Sequence, residues 1–345
     1  MKIIQTNEQL ETYIGSIENE KELAIDTEFK RVNTYNPILC LVQIATRNEA
    51  VCIDVLSVKN LKPLFEKLYR NDTLWIVHSA RQDIEAFFCL SNQLPRQLFD
   101  TQIAASLINF PSQISYQSLT EQLQGVYLEK EFTRLDWTTR PLPNGAIKYA
   151  LDDVIYLLKN YHYLVKELSL SNKTSWNLEE SEKLLDSSLY RTPINQSWKK
   201  VKGLARLPIK ARLSATKLSA YREHIAQTEN KPRKWIMSDE KLNNYALGKE
   251  PMDSKTLDKF DRFIKEHPDT NNINLLAKDN NPPTQKEKEQ KKKIQKLIEM
   301  KSNQYNLQPE VIANTKSIMK YIRGDNSVCF CSGWRHSLLK EELKC

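Results

Sequence analysis

Hydrophobic positions in the first half of the chain fall into short runs with strand character, separated by segments with helical spacing. Three β-rich stretches come first, at residues 23–29, 39–46 and 50–56. The polar link Arg47, Asn48, Glu49 between the last two reads as a hairpin, so the sheet is expected to begin antiparallel. A helical pattern at 61–69 leads into LWIVH at 74–78, a continuous apolar run of the kind found in strands buried on both faces, and the later strands are expected to be parallel. From Thr101 to about Leu170 the spacing is mostly helical, broken at Pro111 and by Pro141, Pro143, Asn144 and Gly145, where Asn144 is placed to cap the next helix. On that helix Ile147, Ala150, Leu151, Val154 and Leu158 form one stripe, while Tyr149 and Asp153, four apart, sit together off it and face a cleft or water.

A polar stretch at 169–177 loosens the pattern, and after Pro193 no strand signal remains. Residues 202–277 have the spacing of a compact helical unit, the Asn- and Pro-rich stretch 271–284 reads as a linker, and 286–301 is a lysine-rich helix. The expected organisation is an α/β domain at 1–170, a helical linker at 171–201, a helical domain at 202–280 and a second, degenerate helical region at 283–345.

Composition narrows this picture modestly. A mean hydropathy of −0.58, with 40% apolar and 27% charged residues, argues against a membrane protein. The first residues show neither a signal peptide nor a transmembrane start, so the cytoplasm is the expected location. Six scattered cysteines without a CxxC set are expected to be reduced. The net charge of +8, from 51 Lys and Arg against 43 Asp and Glu, suits a polyanionic partner, and no obligate protein partner is evident.

Chemistry enters through the acids. Strand side chains alternate, so Asp26 and Glu28 point to one face and can share a cation. Asp83 opens a helix just after a buried strand, and the helix of Tyr149 supplies a further carboxylate, either Asp153 or Asp152, which periodicity alone does not separate. Four converging carboxylates would repel one another and hold their protons unless divalent cations compensate them. Hard oxygen ligands suit Mg²⁺, with Mn²⁺ as a substitute, and two ions about 4 Å apart can activate water on one side of a phosphodiester and stabilise the leaving 3′ oxygen on the other. Asp26 is expected to bridge both ions, Glu28 and Asp153 to hold the ion that binds the attacking water, and Asp83 to help hold the second. Tyr149, a poor base at an ordinary pKa of about 10, is expected to orient the water. An acidic pocket on a basic chain implies positive flanks elsewhere on the surface.

At these residues the chain resembles the DEDD superfamily of 3′-to-5′ exonucleases, with D-T-E-F at Asp26 to Phe29, H-x-A-x-x-D at His78 to Asp83 and Y-x-x-x-D at Tyr149 to Asp153. The tyrosine is that of the DEDDy branch, and the resemblance selects Asp153 over Asp152. It extends to the ribonuclease D family through KRVNTYNPILCLVQIAT after the first motif, FDTQIAASL at 99–107, RLDWTTRPL at 134–142 and SGWR at 332–335. What it implies is an RNase H-like α/β exonuclease domain, a mixed sheet flanked by helices, followed by all-α HRDC-type helical domains. It also implies release of 5′-mononucleotides from RNA 3′ ends, with tRNA precursors carrying 3′ trailers as substrates. Phe29 and His78, beside the metal acids, are expected to meet the terminal base and the scissile phosphate, each against a reading as core residue or strand cap. Arg134 and Trp137 suit phosphate and base contacts better than core packing. Lys286, Lys288, Lys291, Lys292, Lys293 and Lys296 read as a solvated helix face, with RNA binding as the alternative. Competing readings are a non-catalytic RNA-binding protein on this fold and a DNA repair or proofreading exonuclease.

Overall fold

A computed structural model describes residues 3–129, 131–268 and 282–343, and the expected linker at 271–284 lies mostly outside them. In chain order the elements of the α/β part are β1 (Ile3–Ile4), α1 (Asn7–Ser16), β2 (Glu22–Lys30), β3 (Ile38–Ala45), β4 (Ala50–Asp54), α2 (Lys62–Leu68), β5 (Leu74–Val77), α3 (Arg81–Ser91), β6 (Gln97–Asp100), α4 (Thr101–Leu107), α5 (Tyr116–Gln124), α6 (Ala146–Ile155), α7 (Leu157–Leu170) and α8 (Thr174–Glu182). The six strands form one mixed sheet in the order β1-β4-β3-β2-β5-β6. β3 and β4 make the antiparallel hairpin, and β5 pairs in parallel with both β2 and β6. β1 and β6 escaped the sequence reading because two- and four-residue strands carry too little periodicity.

The Tyr149 helix starts differently from expectation. Asn144 does not cap α6; Gly145 does, at φ +88°, a left-handed conformation that glycine adopts without penalty. The apolar stripe expected to run on to Leu158 is also interrupted, because α6 ends at Ile155 and α7 begins at Leu157.

The helical part follows with α9 (Ile209–Thr228), α10 (Arg233–Ile236), α11 (Asp239–Leu247), α12 (Ser254–Glu266), α13 (Gln285–Tyr305), α14 (Pro309–Ile312), α15 (Thr315–Ile322) and α16 (Gly333–Leu339). The chain divides into two compact units, one of Met1–Lys30, Leu39–Asp186 and Pro283–Cys345, the other of Arg31–Ile38 and Ser187–Pro282. Residues 283–345 therefore pack with the α/β part: Ile294, Ile298, Ile312, Ile318, Phe330 and Leu339 share one apolar cluster with Ala104, Val154, Leu164 and Leu168. α13 starts at a capping box, Thr284 with Glu287, and turns Ile294 and Ile298 inward while Lys286, Lys288, Lys292, Lys293 and Lys296 stay exposed.

Two polar joints fix this arrangement. The ammonium of buried Lys173 donates to the carbonyls of Leu107 and Tyr305, at 2.7 Å each, and of Asn306 at 3.3 Å. Carbonyls at helix ends lack intrahelical donors, and the lysine satisfies ends of α4 and α13 together. In SGWR, Trp334 stacks on Trp176 of α8 with centroids 4.5 Å apart, its backbone N–H donates to Glu179 at 2.8 Å and Arg335 pairs with Glu180. Cys40, Cys52, Cys89 and Cys329 are reduced; Cys331 is disulfide-bonded, against the expectation of reduced cysteines throughout. Among the described residues no helix is long and apolar enough to cross a membrane.

Candidate active site

The pairing of β2 with β5 runs through Ala24 opposite Ile76, and β5 stops at Val77, whereas β2 continues to Lys30. Beyond that register the chain turns at His78, Ser79 and Ala80 into α3. Ser79 takes φ +63°, a conformation that costs a non-glycine residue roughly 1 kcal/mol. The Asp100 carboxylate at the end of β6 holds the turn by accepting from Ser79 N at 3.0 Å and Ala80 N at 2.8 Å, and it caps α4 through Gln102 N at 2.8 Å. Hydrogen bonds to a charged acceptor are worth about 1.5–3 kcal/mol each, enough to offset the strain. The first turn of α3 thereby meets β2, where the Thr27 hydroxyl donates to Asp83 over 2.5 Å.

Asp26 and Glu28 project from the same face of β2, and Asp153 reaches them from α6. Carboxylate oxygens of the three lie within 4.8 Å of one another. Asp152 turns away and pairs with Lys148 at 2.7 Å. Asp83 stands outside the three-residue group, but its charge acts on Asp26, Glu28 and Asp153.

The electrostatics are those of an uncompensated cluster. Burial, then the charges of Asp83, Asp153 and Glu28, push Asp26 well above the usual carboxylate range. Burial, then Asp153 and Asp83, pushes Glu28 up to about 9. Asp153 is raised to about 7 by burial and by Asp152 and Asp83. Asp83 is raised to about 7 by burial, against the lowering effect of the Thr27 hydroxyl. Among the described residues no lysine or arginine pairs with Asp26, Glu28 or Asp153, although buried carboxylates ordinarily find a cation. This donor set fits a divalent metal: hard oxygens from separate elements, mutually repelling and lacking a protein cation.

Tyr149 lies one turn before Asp153. Its hydroxyl, hydrogen-bonded to Thr133, is pushed up to about 12 by burial and the neighbouring acids. The ring rests on Trp137, with centroids 6.4 Å apart, and on Phe132 at 5.9 Å. Two ion pairs tie down the loop that carries Trp137: Lys30 to Asp136 at 2.6 Å, and Arg140 to the fully buried Asp54 at 2.6 Å.

Expected substrate contacts separate accordingly. Trp137, expected to touch bases, is 3% exposed and packs with Cys40, Leu41, Ala146 and Ala150, because the loop folds back onto the sheet instead of projecting into solvent. His78, weighed as a phosphate contact, has both ring nitrogens engaged, Nδ1 with Thr101 Oγ1 at 3.0 Å and Nε2 donating to the Ile114 carbonyl at 2.9 Å. Burial lowers its pKa, so it is a neutral brace at the strand end. Phe29 is half-buried and Arg134 exposed.

Three residues went unassigned in the sequence reading: Thr27, Asp100 and Tyr116. Thr27 lies inside D-T-E-F, and a hydroxyl between two metal acids was the available signal. Asp100 lies at a strand-to-helix junction, where an Asp reads only as a cap. Tyr116 is buried with its hydroxyl donating to the Asp152 carbonyl at 3.0 Å, and burial, then the charges of Asp153 and Asp26, pushes its pKa upward.

Residues 1–169 match the family of 3′-5′ exonucleases. Ribonuclease D of Bartonella henselae is 32% identical over an alignment taking in 100% of this chain and 89% of that protein. Ribonuclease D of Sphingobium indicum is 36% identical over 71% of this chain and 63% of that protein. Among solved structures, Escherichia coli RNase D, an exoribonuclease involved in structured RNA processing, has the same fold, with a TM-score of 0.81 over 99% of both chains at 24% identity.

Proposed function

The chain belongs to the ribonuclease D family and is a 3′-to-5′ exoribonuclease, and on that premise we propose that it trims RNA 3′ ends to 5′-mononucleotides with two divalent ions. Mg²⁺ is the proposed metal, with Mn²⁺ able to replace it, and tRNA precursors with 3′ trailers are the proposed substrates. The observation that carries the catalytic part is the convergence of Asp26, Glu28 and Asp153 within 4.8 Å, beside buried Asp83, without a protein cation among them.

Asp26, Glu28, Asp83 and Asp153 would hold the ions. Bound there, divalent cations supply Lewis-acid activation of water and neutralise charge on the phosphodiester. The protein's own part is positional. β2 presents two carboxylates on one rigid strand, Asp100 and the Ser79 turn deliver Asp83, and Thr27 fixes that carboxylate's orientation. Tyr149, protonated up to about pH 12, serves as a hydrogen-bond donor that orients the water or the scissile phosphate and not as a base. Trp137 and Phe132 hold its ring. The helical segments 202–280 and 283–345 are proposed as HRDC-type units that grip the RNA body.

The test uses RNA labelled at its 5′ end, incubated with Mg²⁺, with EDTA and with the Asp26→Asn variant. Shortening one nucleotide at a time in Mg²⁺ alone is expected. Degradation that survives EDTA or Asp26→Asn would overturn the mechanism, and faster loss of DNA of the same sequence would overturn the substrate.

A further inference from the structure

The second compact unit contains a basic, aromatic-rimmed cavity of about 420 Å³, within the range of about 300–1,000 Å³ usual for small-molecule sites. It is lined by residues of α9, α10, the turn Ile194–Lys200 and the segment after β2. Five of its side chains are cationic, Arg31, Lys200, Arg222, Arg233 and Lys234, against one carboxylate, Asp239.

Three features define its rim and walls. Trp235, on the short α10 capped by Pro232, is 62% exposed on the rim, which leaves its indole open to stacking. Arg222 is 2% exposed, and its Nη1 is anchored by the Met237 carbonyl at 3.0 Å and Asp239 at 2.7 Å, yet its Nε–H has no hydrogen-bond partner. An unmatched donor on a buried guanidinium is costly, and this guanidinium stands in the cavity wall. Side-chain contacts tie the walls together. Arg233 donates to Glu223 and lies over the Tyr35 ring, 4.8 Å from its centroid, while the Tyr35 backbone N–H donates to Asn230 Oδ1 at 3.1 Å.

We propose that this cavity binds one nucleotide of single-stranded RNA, the base stacked on Trp235 and the flanking phosphates held by Arg31, Lys200 and Lys234. An indole face accepts any base, and guanidinium and ammonium groups take phosphates without reading sequence, as a non-specific RNA trimmer requires. This rests on the reading of the chain as an RNA exonuclease and adds to it a binding subsite separate from the carboxylate cluster.

Affinity of the full-length protein for a 5′-fluorescein 12-mer oligoadenylate is measured by anisotropy in EDTA, where hydrolysis is stopped. Trp235→Ala should weaken binding roughly ten-fold and Trp235→Phe should restore most of it, because the phenyl ring keeps a stacking face. Lys234→Ala should lower the slope of log Kd against log salt by about 0.7, the value for one phosphate contact on a single strand. Wild-type affinity in Trp235→Ala, a Phe variant as weak as the Ala variant, or an unchanged salt slope in Lys234→Ala would overturn the proposal. A parallel incubation of wild-type protein in Mg²⁺ tests hydrolysis separately, so failure of the exonuclease reading and failure of this subsite give different results.

Discussion

Replacing Glu28 with glutamine should stabilise the metal-free protein while abolishing its activity. Glutamine keeps the shape of the side chain and removes its charge. In the folded protein the Glu28 carboxyl titrates at about 9, against an ordinary value of 4.5, because it is buried beside Asp153 and Asp83. A carboxylate whose folded pKa is raised leaves stability intact below its unfolded pKa, and stability falls as pH rises toward the folded value. At pH 7 each pH unit above 4.5 has cost about 1.4 kcal/mol, on the order of 3 kcal/mol in all, and the Glu28→Gln variant is free of that cost. Near pH 5 the two proteins should melt together in EDTA. At pH 7 the variant should melt higher by roughly 6–10 °C, a gap that widens toward pH 8. Saturating Mg²⁺ should raise the wild-type Tm by mass action and leave the variant little changed, and RNA cleavage by the variant should fall at least about 10³-fold. Differential scanning fluorimetry across pH with EDTA or Mg²⁺ follows the melting, and a gel assay of labelled RNA follows the cleavage. A variant that melts at or below wild type in EDTA at pH 7, or a difference that does not change with pH, would refute the claim that burial, reinforced by Asp153 and Asp83, holds the Glu28 carboxyl far above its ordinary range.

Thr27→Val removes the hydroxyl that lowers the Asp83 pKa from within a buried pair, so protons should compete better with metal. The Mg²⁺ concentration for half-maximal rate should rise about 10- to 100-fold, with the acid limb of the pH–rate profile moved to higher pH. Tyr149→Phe should lower kcat about 10²-fold with little change in Tm, and its pH–rate profile should keep the wild-type shape, since a phenol held at about 12 contributes no titration near neutrality. Gly333→Ala drives a methyl into the Glu179 carboxylate at a residue with φ +57°, displacing the acceptor of the Trp334 N–H; a loss of about 1–2 kcal/mol by urea denaturation is expected.

Much of the site was written in local pattern. Alternation on a strand put Asp26 and Glu28 on one face, helical spacing put Tyr149 one turn from an acid, and continuous apolarity marked β5 as a buried parallel strand; each depends only on backbone geometry within one element. Choosing Asp153 over Asp152 needed either a motif or the fold, because residues at i+3 and i+4 both neighbour Tyr149 and only the packing of α6 decides which meets β2. Relations between distant segments were decided by tertiary structure alone. β2 outruns its pairing with β5, and that register lets α3 bring Asp83 to Thr27. The loop before α6 looks polar in sequence, yet Lys30 and Arg140 draw it down and bury Trp137 beneath Tyr149. Residues 283–345 read as a separate helical region, but the apolar faces of α13 and α16 complete the core of the α/β unit. Periodicity specifies that a face is apolar; which surface covers it depends on shape and register across the whole chain, and these exist only once the chain has folded.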